Sequence, residues 1–135
     1  GRLAAGYGAP ARDCVARAVA IVSGLPYAVV WNDLAEINAR QGKRRSADHG
    51  VFARRADFHN YMKSLGFKHV DLEVPACGDW RRYKPTYLRA GFQPGGPAVV
   101  AIKGHLVAVV DGVIRDAHNC QRKGRRAIAG YWIKC

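Results

Sequence analysis

Cys14, His105 and Asp116 are the residues whose types and order could together break an acyl bond. A thiol is a strong nucleophile only as its thiolate, so it needs amide dipoles or positive charge nearby and a base to take its proton. An imidazole is such a base near neutral pH, and a carboxylate on its far nitrogen fixes the tautomer and stabilises the imidazolium. A lone cysteine is more often a small buried hydrophobe. The case for Cys14 therefore rests on what surrounds it.

The string "PARDCVARAVAIVSGLP" carries the punctuation of a helix. Pro10 precedes it, and Asp13 has the chemistry of an N-cap whose carboxylate accepts a first-turn amide. Val15, Ala18, Val19 and Val22 fall on one apolar stripe, Gly24 suits a left-handed C-cap, and Pro26 stops continuation. Cys14 is then in the first turn, where the helix dipole favours a thiolate. Arg12 just before it and Arg17 one turn on add positive charge.

His105 stands at the mouth of a hairpin. In "PAVVAIKGHLVAVVDGVIRDAHN", Lys103-Gly104 and Asp111-Gly112 read as two-residue turns joining three apolar strands. With Asp111-Gly112 as the second turn, Val110 pairs with Val113 and Val107 with Asp116. Alternation then puts His105, Val107, Asp116 and His118 on one sheet face, with Asp116 diagonal to His105. A one-residue bulge would exchange the faces of His118 and Asn119, which makes these two the rival orienting residues. His49, His59 and His69 read as loop, helix-surface and strand-surface residues without chemistry. A metal set of Cys77, His118, Cys120 and Cys135 has spacing unlike the common zinc signatures, so no metal is expected. No organic cofactor is expected either. All four cysteines read as thiols; a bond from Cys120 to Cys135 or Cys77 under oxidising conditions stays open.

Further elements must hold the thiol and the imidazole in register. A second helix is predicted from about Tyr27 to Arg40, with Tyr27, Val30, Trp31, Leu34 and Ile37 on one face. Gly42 and the basic run after it form a loop. A third helix is predicted from about Val51 to Leu65, capped by Asp48, burying Phe58, Tyr61, Met62 and Leu65 and ended by Gly66. Val70, Leu72 and Val74 alternate with His69, Asp71 and Glu73 as a half-buried strand. Residues 75–96 are irregular, and "AIAGYWIKC" supplies a last strand. Helices first and antiparallel strands second predict an α+β fold in a single domain over 1–135, with 1–9 flexible.

The 135 residues hold 22 Lys and Arg against 10 acidic residues, a net charge of +12. Such a balance favours an anionic partner. The expected partners are an acidic protein or peptide substrate, or nucleic acid through Lys43, Arg44, Arg45, Arg122, Lys123, Arg125 and Arg126. No apolar run approaches the roughly 18 residues a membrane span needs, so no membrane partner is expected. The default location is cytoplasmic, in a bacterial host or phage-encoded, with a virion-associated protein as the alternative.

A Cys opening an N-terminal helix, with His and then a carboxylate or amide on late antiparallel strands, resembles the papain-like cysteine peptidase superfamily. More closely, "RDCVARAVAIVSGLPYAVVWNDL", "YMKSLGF", "GHLVAVVDGVIRDAHNCQR" and "GYW" resemble a family of small phage and bacterial proteins, papain-like and similar to bacteriocin-leader peptidases. The matching pieces run from residue 12 to residue 132, and the first and third are the specific ones. The resemblance implies N-terminal helices packed on a C-terminal antiparallel sheet, with Cys14, His105 and Asp116 as the triad of a thiol hydrolase.

One feature departs from that pattern. Papain-like enzymes carry a Gln about six residues before the Cys to help hold the oxyanion; Gly8 stands there, and no Gln lies upstream of Cys14. The Cys14 amide supplies one donor, and Arg12 or Tyr7 would have to supply the second; one lost donor costs about 2.7–4 kcal/mol. The expected activity is amide or isopeptide hydrolysis through a thioester. The alternative is an inactive papain-like module that binds nucleic acid or a host or virion protein.

Overall fold

The structure is a computed structural model, which describes residues 13–48, 50–51, 55–72, 84–89, 91–103, 105–115 and 126–134. Three helices lead: α1 (Cys14–Ser23), α2 (Tyr27–Arg40) and α3 (Ala56–Ser64). Six strands follow: β1 (Phe67–Asp71), β2 (Tyr87–Leu88), β3 (Ala98–Ile102), β4 (His105–Val110), β5 (Val113–Arg115) and β6 (Arg126–Lys134). This is an α+β arrangement, as the element order predicts.

α1 ends where its sequence says it must. Gly24 adopts the left-handed conformation at φ 77°, and its N–H donates to the Ala20 carbonyl at 3.1 Å. Val15, Ala18, Val19 and Val22 are buried as a stripe. Pro26 then opens α2, which spans the predicted residues and buries Tyr27, Val30, Leu34 and Ile37, while Trp31 is half-buried. The start of α3 differs from expectation. Arg55 is extended (φ −83°, ψ 154°), so the helix begins at Ala56 rather than near Val51. Asp48 does not cap it; its carboxylate accepts the Trp31 indole N–H at 3.0 Å. Phe58 and Met62 are buried as predicted, whereas Tyr61 and Leu65 are only half-buried.

The sheet is antiparallel, with order β1-β6-β3-β4-β5 and β2 paired to β6. Both predicted hairpins form: Ile102 pairs with His105 across the first turn and Val110 with Val113 across the second. The second turn needs two left-handed residues, which Asp111 (φ 51°) and Gly112 (φ 75°) supply. The half-buried strand starts earlier than the Val70–Val74 alternation suggests, at Phe67, because Gly66 turns the chain at φ 90° directly after α3. β2 lies inside the stretch read as irregular, since two residues carry no periodicity.

Helices cover one face of the sheet, with Phe58, Val99, Leu106, Ala108 and Trp132 in one core with the α1 and α2 stripes. On the other face Val100, Val107, Val109 and Ile128 pack with Leu88, against which Phe92 and Ile114 lie. β3 and β4 are thus apolar on both sides, which is why they read as nearly continuous hydrophobic runs.

Gly130 of β6 pairs with Asp71 of β1, and the space beside it is tight. A Cβ there would stand 2.7 Å from the Val70 carbonyl oxygen and 3.1 Å from His69 Nε2. Gly130→Ala should therefore destabilise the fold by about 1–3 kcal/mol through overpacking, read as a lowered midpoint in urea with an unchanged slope. An unchanged midpoint would mean that β1 separates from β6 without loss.

Candidate active site

Cys14 is the first residue of α1, and α1 packs on β4. The first helical hydrogen bond runs from the Arg17 N–H to the Asp13 carbonyl at 3.0 Å. The amides of Cys14, Val15 and Ala16 thus have no acceptor within the helix, and the dipole is positive where the thiol sits. Cys14 is a half-buried free thiol.

The structure brings His105 to Cys14. Burial pushes the thiol up. A hydrogen bond with the His105 side chain, one from the Leu106 backbone amide, and the charges of His105 and Arg17 pull it further down, leaving it below an ordinary thiol. The order of those causes matters. A thiol desolvated without these contacts would stay protonated and inert; here the imidazole is the largest of the influences that reverse burial.

Strict alternation sends His105 to the face of Val107 and Val109, away from α1. His105 is the first residue of β4, its pair with Ile102 is the last of that ladder, and its imidazole hydrogen-bonds with Cys14.

Val110↔Val113, Val109↔Ile114 and Ala108↔Arg115 follow the predicted register to the end of β5. Asp116, His118 and Asn119 come next and lie outside the described residues, as do Arg12, Tyr7, His49 and the cysteines at 77, 120 and 135. Among the described residues no group of three or more His, Cys, Asp or Glu could hold a metal ion.

Asp13 departs from its predicted role. Its side chain makes no cap bond. It is 2% exposed, accepts the Tyr27 hydroxyl at 2.6 Å and ion-pairs with Arg17 at 3.0 Å. A buried carboxylate needs such partners to offset its desolvation. The effect is to bolt the entry of α1 to the start of α2 and to hold the Arg17 guanidinium one turn from the thiol. The i,i+4 spacing of Asp13 and Arg17 is a legible signal for the ion pair. Nothing in the spacing points to Tyr27.

A groove of about 370 Å³ opens beside the thiol, lined on one side by Cys14, Arg17, Ala18 and Ile21 and on the other by Leu106, Val107, Ile114 and Arg115. That volume is within the range of ligand-binding clefts, about 300–1,000 Å³.

The other predicted features fall elsewhere. His59 and His69 meet edge to face at 4.8 Å between ring centroids, and His69 lies 4.7 Å from Trp132. In the basic loop after α2, Lys43 Nζ donates to the Gly50 carbonyl at 3.2 Å and Arg45 pairs with Glu36 at 2.8 Å. Asn38, 1% exposed, donates to the Ser46 and Gly50 carbonyls and folds that loop back on α2. Arg44 is exposed, and Arg126 donates to the Lys103 carbonyl at 3.3 Å. Among the described residues no helix is long and apolar enough to cross a membrane. Compared with family models, with curated proteins and with solved structures, the chain finds a match in none of the three.

Proposed function

We propose that this chain is a papain-like cysteine hydrolase that cleaves a peptide, isopeptide or other amide bond. The observation that carries the reading is the hydrogen bond between the His105 imidazole and a Cys14 thiol held below its ordinary range at a helix N-terminus. A merely buried thiol has no need of an imidazole partner, and burial alone would move it the other way.

In the proposed reaction His105 takes the Cys14 proton and the sulfur attacks the carbonyl carbon, giving a tetrahedral oxyanion. The imidazolium returns the proton to the leaving amine as the C–N bond breaks and a thioester remains. Water, deprotonated by His105, attacks that thioester; the acid leaves, and the thiol is restored. Asp116 is the proposed orienting group, with His118 and Asn119 as substitutes. Gly8 stands at the position where papain-like enzymes carry the oxyanion Gln. The first-turn amides of α1 supply donors that a missing side chain does not remove.

Brief exposure to sub-stoichiometric iodoacetamide at neutral pH, followed by peptide mapping, tests the nucleophile. Cys14 should carry nearly all of the label, and Cys14→Ala should lose it. Labelling spread evenly over the four cysteines, or equal in the two proteins, would sink the proposal.

The net charge of +12 favours a second reading, a basic module that binds nucleic acid or an acidic host or virion protein. It weakens where Lys43 and Arg45 are already engaged within the fold. It predicts that Arg44→Glu with Arg125→Glu and Arg126→Glu lowers affinity for an oligonucleotide at least tenfold, with a steep salt dependence. Cys14→Ala would then bind as the parent does.

A further inference from the structure

The groove beside Cys14 has two unlike walls, and together they specify an occupant. Cys14, Arg17, Ala18 and Ile21 recur at helical spacing and form one flank of α1. Facing them is β5, whose outer edge has no partner strand among the described residues. Ala108 is in the helix-side core and pairs with Arg115, so Arg115 stands on the helix side of the sheet, as does Val113 two residues before it.

A large apolar side chain is left in water at this place: Ile21, on the helix wall, is 46% exposed. The lining also includes two guanidinium groups. Arg115 is exposed, and Arg17 keeps a quarter of its side chain in solvent while paired to Asp13. Arg17, paired to Asp13, adds its positive charge to the helix wall. Among the described residues no acidic side chain lines the groove. An aliphatic group would find Ile21, and a carboxylate would find the Arg115 guanidinium.

We propose that this groove binds the substrate as an extended acidic–aliphatic peptide segment, laid along β5 with a carboxylate at Arg115, in the field of the Arg17 charge, and an aliphatic side chain against Ile21. The inference rests on the hydrolase reading for what happens at Cys14, but its recognition step stands apart from the chemistry. An extended segment fits because its side chains alternate, so that one row meets the groove wall while the main chain runs along the outer edge of β5.

Cys14→Ala protein and fluorescent decapeptides of alternating Leu/Glu and alternating Leu/Lys provide the test, with binding read by fluorescence polarisation at physiological salt. The Leu/Glu peptide should bind at least tenfold more tightly. Arg115→Glu and Ile21→Asp, each added to Cys14→Ala, should each weaken it about tenfold, whereas Arg44→Glu should change it less than twofold. Equal binding of the two peptides, or no binding of either, overturns the inference. So does an equal loss on Arg44→Glu, or full displacement by a single-stranded oligonucleotide of matching charge, since either would mean that charge alone is read. Iodoacetamide mapping of the parent protein separates the two readings. Selective Cys14 labelling without peptide preference leaves a nucleophile whose substrate lies elsewhere. Peptide preference without selective labelling leaves a peptide-binding groove that is not a hydrolase.

Discussion

His105→Ala should slow the alkylation of Cys14 at neutral pH by at least about tenfold, the scale of losing a hydrogen bond to a charged group at about 1.5–3 kcal/mol. Burial raises the Cys14 thiol, and the His105 hydrogen bond, the Leu106 amide, the His105 charge and the Arg17 charge together lower it below the ordinary value. Removing the imidazole deletes two of the lowering influences, while burial remains apart from whatever water fills the vacated space. The pH at which half of Cys14 is thiolate must therefore move up. Rate against pH should show two curves that coincide where both proteins are thiols, separate most between the two midpoints, and converge or cross at high pH. A crossing follows because the more basic thiolate is intrinsically the better nucleophile. His59→Ala, which alters an imidazole next to Trp132, should leave the curve unmoved. Arg17→Leu should shift it in the same direction by less, since its charge is the smallest of the named influences. Coincident curves for His105→Ala and the parent would mean that the imidazole does not hold the thiolate.

The same shift has a consequence for stability. A thiol whose folded value lies below its unfolded one favours the folded state above the unfolded value, and that contribution disappears as pH falls through the folded value. The stabilisation therefore belongs to the alkaline side and is lost as acidification protonates the Cys14 thiolate.

What was legible in the sequence was mostly what is local. Gly24 and Pro26 mark the junction of α1 and α2 because a left-handed cap and a missing N–H are properties of single residues. The hairpins at Lys103-Gly104 and Asp111-Gly112 declare themselves for the same reason, and with them the position of His105. Cys14 and His105 are 91 positions apart, yet each was identifiable from its own turn. The start of α3 was not legible, since Asp48 is as good a partner for the Trp31 indole as for a helix amide, and only the tertiary fold decides. That the imidazole meets Cys14 was not legible in strand alternation, which relates neighbours within the sheet and says nothing of a side chain brought by a helix. The groove could not be read at all. Ile21 and Arg115 come from a helix flank and a sheet edge, and only packing makes them neighbours.

Asp13 was read as a cap, and its true neighbours define the other large effect. Asp13→Ala would leave the Tyr27 hydroxyl without its 2.6 Å acceptor and Arg17 without its 3.0 Å counter-charge. Breaking a buried pair by removing one partner costs about 3–5 kcal/mol; with Arg17 25% exposed and able to hydrate, about 2–4 kcal/mol is expected. Against a total stability of about 5–15 kcal/mol, that is a large fraction. Asp13→Asn should cost less, since an amide oxygen can still accept from Tyr27, and Tyr27→Phe should cost about 1–2 kcal/mol. Urea unfolding measures all three. Alkylation then separates anchoring from chemistry. With the Asp13 charge gone, Arg17 acts on the thiolate without an opposing carboxylate, so Cys14 in folded Asp13→Asn should react at least as fast as in the parent. A stable but unreactive Asp13→Asn would contradict this account, placing Asp13 in the chemistry rather than in the bolt between the first two helices.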